Sequence, residues 1–437
     1  MYFEEQMKKL LGARYDAFVR AFENKPRHKA ARINTLKISV DGFISLAVDE
    51  PRRNALCAQS VYTDVKPSLD PLYHAGLYYM QEPSASAAVA AFSPFIGKRV
   101  LDLCAAPGGK ATQAAAVMNG RGVIFCNDVE YKRVCALEEN IVRLGITNAV
   151  VTCATASDYR AAGFDGYFDT LILDAPCSGG GMMRYETVPY SAEIVAGCAK
   201  RQREILDDAS ELLRCGGHLL YSTCTFSREE NEANVEYLAA KGFAPVDVPL
   251  RAGEERGIGI PEARRIYPMN FDGEGHFYCV LEKTSDAPRS ELAPEKQKLV
   301  TLDVGDTKIA CALLGDDCIY KPVELPKLFR PSHGRPPLSY RTVGTPVYAG
   351  ACAKNKSCTF SHALTHALSR EEVDAFGAVE LGKRAGEYIR GEQLDVCAPK
   401  GLRIATVNGF ALGFVKSAAD GSGAPVLKNL YPKALRI

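Results

Sequence analysis

Two cysteines stand in settings suited to covalent chemistry: Cys177 in DAPCSG at 174–179 and Cys224 in STCT at 222–225. Each follows an apolar run that reads as a strand, TLILD at 170–174 and HLLYSTC at 218–224. Both thiols are therefore expected at the carboxyl edge of a sheet, where open α/β folds bind ligands. Asp174 accompanies them. A thiolate can add to an electron-poor ring carbon and make the neighbouring carbon nucleophilic. A carboxyl group can donate a hydrogen bond where negative charge builds, and a second thiol can help remove the ring proton so that the first sulfur leaves. Carbon-5 of cytosine is such a centre, a poor nucleophile until a thiolate has bonded to carbon-6. Either cysteine alone could be one more buried core thiol. Two of them, each at a strand end, favour the chemistry.

A second constellation precedes them. LDLCAAPGGK at 101–110 places a strand, a glycine turn and a helix start in succession. Gly108 and Gly109 remove side chains where a ligand approaches backbone amides, and the helix start favours a negative group. Asp128 ends the next strand, where a doubly wound fold presents an acid to a ribose diol. Asp128 alone could equally be a helix cap; beside the glycine turn, ribose binding is the stronger reading. The dinucleotide fingerprint G-x-G-x-x-G is replaced by Pro107-Gly108-Gly109-Lys110, which argues against a nicotinamide enzyme.

The elements that must position these residues alternate between Gly97 and Leu281, as in a mostly parallel sheet covered by helices. Strands are expected at Arg99–Cys104, Val123–Asp128, Ala149–Cys153, Thr170–Asp174 and His218–Cys224. Helices are expected at Lys110–Met118, Tyr131–Leu144 and Ser191–Arg214, the last stopped by Gly216-Gly217. Ser227 and Glu230 have capping-box spacing for a further helix. Arg265–Pro268 and His276–Leu281 read as a closing antiparallel pair. The pattern is a class I methyltransferase (Rossmann-like) α/β sheet. Residues 1–80 fall outside the alternation and form an expected N-terminal lobe, 81–284 the catalytic domain, 285–299 (beginning with SDAPRSELAPEKQK at 285–298) a linker, and 300–437 a smaller β-rich region.

Length and composition agree. The 437 residues are 47% hydrophobic, enough for more than one core, and 53 Lys+Arg against 52 Asp+Glu give a net charge of +1. That balance excludes a polycation but not a local basic face. The 15 cysteines fall singly in apolar runs (Cys104, Cys126, Cys135, Cys153, Cys215, Cys279) and no CxxC occurs, so neither disulfides nor a metal is expected. The first residues lack a signal-peptide core and no apolar run is long enough for a bilayer. A reduced, cytoplasmic, soluble protein is expected.

CAAPGGK at 104–110, DAPCSG and YSTCT at 221–225, with RINTLK at 32–37, REENE at 228–232 and GEGHF at 273–277, resemble the Sun-type family of RNA cytosine carbon-5 methyltransferases, especially its bacterial branch acting on 16S ribosomal RNA. FSHALTHAL at 360–368, YIRGEQL at 388–394, VNGFALGFVK at 407–416 and LKNLYPKALR at 427–436 extend the resemblance nearly to the end. It implies S-adenosyl-L-methionine as cofactor, Cys224 as nucleophile, Cys177 in product release, and Asp174 beside both methyl donor and base. It implies a cofactor site of Cys104, Ala105, Ala106, Pro107, Gly108, Gly109, Lys110 and Asp128, with help from Arg133. Where relatives often carry an acid for adenine, this chain has Thr155, with Asp158 three positions on; either could make that contact. RNA, as 16S ribosomal RNA or the small ribosomal subunit, is the implied partner of a monomer, with a PUA-like module in the C-terminal region.

Basic clusters that could meet RNA phosphate are Lys25, Arg27, Lys29, Arg32 and Lys37; Lys428, Lys433 and Arg436 beside Tyr431; and Lys321, Lys327, Arg330, Arg335 and Arg341. Arg184 is either a phosphate contact or a solvated arginine, and Met182 and Met183 read as packing residues. Competing readings are a methyltransferase for transfer RNA or DNA, and a non-catalytic RNA-binding ribosome-assembly factor. DNA enzymes use the proline-cysteine motif's thiol as nucleophile, so Cys177 and Cys224 discriminate.

Overall fold

A computed structural model describes residues 2–23, 29–47, 50–184, 187–286, 290–292, 298–304, 307–314, 317–320, 348–352, 358–419 and 425–437. The first two helices, Tyr2–Leu11 and Tyr15–Glu23, turn Met7, Leu11 and Phe18 onto Phe226 and Tyr267 of the catalytic domain. Four strands follow: β1 (Lys29–Ile33), β2 (Arg52–Arg53), β3 (Ser60–Thr63) and β4 (Tyr78–Gln81), in the order β2-β3-β1-β4.

The β-branched and aliphatic runs of the middle of the chain form a nine-stranded sheet. Its parallel part comprises β5 (Arg99–Asp102), β6 (Val123–Asn127), β7 (Ala149–Thr152), β8 (Phe168–Asp174) and β9 (Leu213–Thr223). β10 (Phe243–Val246), β11 (Glu254–Arg256), β12 (Arg264–Ile266) and β13 (His276–Lys283) complete it; the order is β11-β12-β13-β9-β8-β5-β6-β7, with β10 on β13. β5 lies between β6 and β8, so the strand order reverses there and opens a crevice at the carboxyl ends. Apolar layers cover both faces, one rich in aromatics (Phe125, Tyr159, Phe164, Phe168), the other in alanine and aliphatics (Ala111, Ala114, Val134, Leu137).

The expected α/β class, the parallel strands and the β12–β13 pair are present. Two local expectations fail. The long helix is Ala192–Leu212, capped by Ser191, and β9 begins at once. Gly216-Gly217 sits inside that strand, where register jumps from Phe168↔Leu213 to Thr170↔His218 and Arg214–Gly217 bulge. The helix after Cys224 is Glu232–Ala239, with Asn231 at its cap; Ser227 Oγ accepts from Glu230 N–H (3.3 Å), but the Glu230 carboxylate is engaged elsewhere, so only half of the expected box forms. Cys126 and Cys279 are buried as expected; Cys215, in that bulge, is exposed.

Toward the C-terminus, β14 (Lys298–Val304), β15 (Thr307–Leu314), β16 (Asp317–Tyr320), β17 (Tyr348–Cys352) and β18 (Cys358–Phe360) form an antiparallel sheet; β14 already begins inside the expected linker. A second sheet holds β19 (Ala378–Glu380), β20 (Gly401–Val407), β21 (Phe410–Ala419) and β22 (Pro425–Asn429). Its apolar side does not form a core of its own. Tyr388, Ile389, Leu412, Val415 and Leu427 pack with Ala31, Ile33, Phe43, Leu77 and Tyr78, so the two ends of the chain share one core. Among the described residues, no helix is long and apolar enough to cross a membrane.

Candidate active site

The loop after β5 is shaped by one bond within the turn and by others from the neighbouring strand and the N-terminal lobe. Ala105 N–H donates to Asn127 O (2.7 Å) and Gly108 N–H to Ala105 O (2.7 Å), closing the turn before the helix Gly109–Met118. Gly108 has φ +117°, and a Cβ there would press on Leu137 Cδ1 at 3.3 Å; only glycine suits the position. Arg32, buried in β1, fastens the loop from outside by donating to Gln81 Oε1 (2.6 Å), the Gly109 carbonyl and Thr112 Oγ1. This arginine, grouped above with phosphate-binding residues, is therefore structural.

At the end of β6, Asp128 is buried. Its Oδ1 accepts from Glu130 N–H (3.0 Å) at the start of helix Tyr131–Arg143, while Oδ2 has no hydrogen-bond partner and faces Arg133 Nη1 at 3.2 Å. Arg133 also donates to Ala106 O (2.7 Å), tying that helix to the loop. Thr155 and Asp158 form a reciprocal capping box on helix Ala156–Ala161, and this engages the polar groups of both.

The two thiols meet. Cys177 Sγ and Cys224 Sγ lie 3.2 Å apart without a bond. What joins their loops is long-range: Gly181 N–H donates to Cys224 O (2.9 Å), and Ser178 Oγ pairs with Thr225 Oγ1 (2.9 Å). Buried Glu230 accepts from Ser178 N–H (2.9 Å), Ser178 Oγ (2.5 Å) and Gln202 Nε2 (3.0 Å). Contact with Cys224, then burial, pushes the Cys177 thiol well up.

Asp174 completes the group. Ser222 Oγ donates to its Oδ1 (2.7 Å), and the buried Lys110 ammonium lies 2.7 Å from Oδ2. Burial acts to raise the Asp174 carboxyl, but the Lys110 charge and the hydrogen bonds from Lys110 and Ser222 outweigh it and hold the group below its ordinary value. The carboxylate is thus ionised in the resting site, not the ready hydrogen-bond donor expected. His276, from β13, approaches Asp174 Oδ1 at 3.7 Å; burial, then Lys110, depresses its pKa to about 3, so the ring is neutral.

Gln202, His276 and Asp102 had no role in the reading of the sequence, and Lys110, Glu230 and Arg32 were read only as a cofactor-loop residue, a helix cap and a phosphate-binding cation. Arg32, Glu230 and His276 do lie inside RINTLK, REENE and GEGHF, and those motifs were the available signal. Other expectations are corrected. Arg184 is buried and donates to the carbonyls of Gly273 and Ala21, reaching neither solvent nor phosphate. Lys37 Nζ donates to Ala75 O (2.7 Å), and Tyr431 is buried with its hydroxyl 3.0 Å from His74 Nδ1. Met182 is exposed. Lys29, Lys428 and Lys433 remain exposed, whereas Lys25, Arg27, Lys321, Lys327, Arg330, Arg335 and Arg341 lie outside the described residues.

Comparison with known proteins was decisive. Residues 1–83 match a family model for the N-terminal domain of 16S rRNA methyltransferase RsmF, 89–282 that of 16S rRNA methyltransferase RsmB/F, and 379–437 that of the methyltransferase RsmF PUA domain. Ribosomal RNA small subunit methyltransferase F of Enterobacter sp. is 38% identical over 99% of this chain and 95% of its own length. The protein of that name from Klebsiella pneumoniae is 30% identical over 96% and 92%. The crystal structure of a methyltransferase homolog protein from Pyrococcus horikoshii superposes with a TM-score of 0.57 at 28% identity, covering 64% of this chain and 93% of that one. NSun6 from Pyrococcus horikoshii with SFG shares the fold, with a TM-score of 0.59 at 24% identity over 65% and 98%. The cofactor is S-adenosylmethionine, and the residues fit it: the glycine turn leaves room for the ligand against backbone, and Asp128 Oδ2, which faces Arg133 but accepts no hydrogen bond among the described residues, could accept one from a hydroxyl. From its first helices to its last sheet, the chain belongs to the ribosomal RNA small subunit methyltransferase F family of S-adenosylmethionine-dependent methyltransferases.

Proposed function

We propose that this protein methylates carbon-5 of cytosine in 16S ribosomal RNA through a covalent bond between Cys224 and carbon-6. The observation that carries the reading is the 3.2 Å approach of the two sulfurs beside Asp174. Cys224 attacks carbon-6 and the new S–C bond pushes electrons toward N3. The Lys110–Asp174 pair meets that charge by supplying a proton toward N3, while the other Asp174 oxygen accepts from the ring amino group. S-adenosylmethionine supplies the electrophilic methyl group that carbon-5 captures.

Carbon-5 then carries both methyl and hydrogen. With Cys224 in a thioether, the contact with Cys224 that helps keep the proton on Cys177 is gone, and burial still holds it there. Cys177 gives that proton to solvent and takes the carbon-5 hydrogen, the S–C6 bond breaks, Cys224 leaves as thiolate, and N3 returns its proton to the Lys110–Asp174 pair. Asp128 and the Cys104–Lys110 loop hold the donor, with Arg133 bracing both. Thr155 stands at the adenine end, its hydroxyl shared with its cap. The module at 379–437 and the exposed Lys29, Lys428 and Lys433 engage RNA. Boundaries near 80 and 285 to 299, a monomeric state and a cytoplasmic location belong to the same proposal.

Bisulfite sequencing of ribosomal RNA from cells with and without the gene tests the substrate. A 16S cytosine protected only in its presence supports the reading; an unchanged 16S pattern rejects it.

A further inference from the structure

Cys177 Sγ and Cys224 Sγ approach to 3.2 Å, and both residues are half-buried at the sheet edge. A disulfide holds its sulfurs at about 2.0 Å, so roughly 1 Å of side-chain movement separates this contact from a bond. The two loops are already tied together. Ser178 Oγ pairs with Thr225 Oγ1 (2.9 Å), Gly181 N–H donates to Cys224 O (2.9 Å), and Glu230 takes both the N–H and the hydroxyl of Ser178. Oxidation of such a pair needs one sulfur that reacts as thiolate and a neighbour that resolves it. Contact with Cys224, then burial, pushes the Cys177 thiol well up, which makes Cys177 the resolving partner. Cys224, the nucleophile toward RNA, is the sulfur that reacts first.

We propose that Cys177 and Cys224 close into a reversible disulfide on exposure to hydrogen peroxide, switching methyl transfer off and shielding the nucleophile. The proposal rests on Cys224 as the nucleophile. Its thiolate attacks one oxygen of the peroxide, the O–O bond breaks, and hydroxide leaves, so Cys224 becomes a sulfenic acid. The Cys177 sulfur then attacks the Cys224 sulfur, the S–O bond breaks, and the departing hydroxide takes the Cys177 proton as water. The first hydroxide takes up the proton that Cys224 had released. Two thiols thus lose two electrons, and the peroxide leaves as two waters. A dithiol reduces the bond and restores both thiols. While it lasts, the bond leaves no thiolate for carbon-6. It also stops oxidation at a reducible level, whereas a sulfenic acid without a resolving thiol goes on to sulfinic acid. Such a bond is of the redox-sensing kind, not a structural one.

Peroxide treatment of the full chain without RNA tests this. Remaining thiols are capped with N-ethylmaleimide, and peptides are mapped by mass spectrometry before and after dithiothreitol. A cross-linked pair of peptides holding Cys177 and Cys224 should form before the exposed Cys215 and Cys397 are modified. Methyl transfer should fall in proportion to that species and return with dithiothreitol. Cys177→Ala lacks the resolving thiol. Under excess peroxide its capacity to form the covalent RNA species should be lost and stay lost after dithiothreitol, because Cys224 is oxidised further. If Cys177→Ala forms no covalent RNA species even before oxidation, the nucleophile reading fails, and the peptide map still reads the disulfide by itself. Inactivation with both thiols still capped, modification of Cys215 and Cys397 ahead of the pair, or a disulfide with undiminished methyl transfer overturns the proposal. So does recovery of Cys177→Ala equal to that of the parent. Should that variant not fold, the parent's peptide map and its activity before and after dithiothreitol decide.

Discussion

The cofactor turn and the thiol edge sit at the ends of neighbouring strands, yet they are held by opposite means. Bonds inside the turn join residues a few positions apart, such as Gly108 to Ala105, and Gly108 supplies the one backbone conformation it needs. The thiol edge is closed by bonds that cross about 50 residues of sequence, all converging on Glu230, Ser178 and Thr225. A local device can be read as a motif. A long-range one shows only as two motifs of unknown relation until the chain is folded.

The largest expected effect breaks both regions at once. Residues 379–437 share a core with β1 and β4, and β1 carries Arg32, which fastens the cofactor turn. Deleting residues 285–437 should therefore strip Tyr78, Ile33 and Phe43 of their cover and abolish cooperative folding of the N-terminal lobe. Urea denaturation and amide exchange in β1 would show it. A truncated chain with an unchanged midpoint and intact cofactor affinity contradicts the shared core.

Next, Glu230→Ala removes three acceptor contacts from a buried network and should cost roughly 3 kcal/mol of stability. It also frees the Cys177 loop from the Cys224 strand. Methyl transfer should slow and release should slow more, while donor affinity stays unchanged. Loss of donor affinity together with turnover would show that the two regions are not separable. The reciprocal variant, Asp128→Ala, should weaken donor binding by about one to two orders of magnitude, from lost bonds worth roughly 1.5–3 kcal/mol. Attack by Cys224 on RNA in a saturating donor concentration should survive.

How much of this was legible follows from the same contrast. The parallel strands were readable because apolar runs and glycine turns are local signals, and the sites at their carboxyl ends came with them. Only half of the capping box proposed for Ser227 and Glu230 forms: Ser227 Oγ accepts from Glu230 N–H, while Ser178 and Gln202, distant in sequence, take the Glu230 carboxylate. Arg184, Arg32 and Lys37 were grouped with surface or phosphate-binding cations because sequence displays a charge but not the carbonyls it will meet. The ionised state of Asp174 depends on Lys110, which lies in the other motif. Tyr431 was assigned to RNA for its basic neighbours, yet its own ring fills the core shared with the N-terminal lobe.

The smallest effect concerns Thr155, which the structure uses as a helix cap. Thr155→Ala should lower stability by about 1 kcal/mol. If the hydroxyl also serves the adenine end, binding of both S-adenosylmethionine and 5′-methylthioadenosine should fall severalfold. A stability loss with unchanged binding confines Thr155 to the cap.

The central claim is the division of labour between the two sulfurs, and trapping on RNA tests it most directly. Purified variants are incubated with 16S RNA and S-adenosylmethionine, denatured, and run on a gel that separates free from protein-bound RNA. Cys177→Ala should attack and methylate but stall, giving a denaturant-stable protein–RNA species carrying the new methyl group. Cys224→Ala and the double variant should give neither species nor turnover, with folding and donor binding retained. A covalent species in Cys224→Ala, or turnover by it while Cys177→Ala forms no adduct, would make Cys177 the nucleophile and contradict the account.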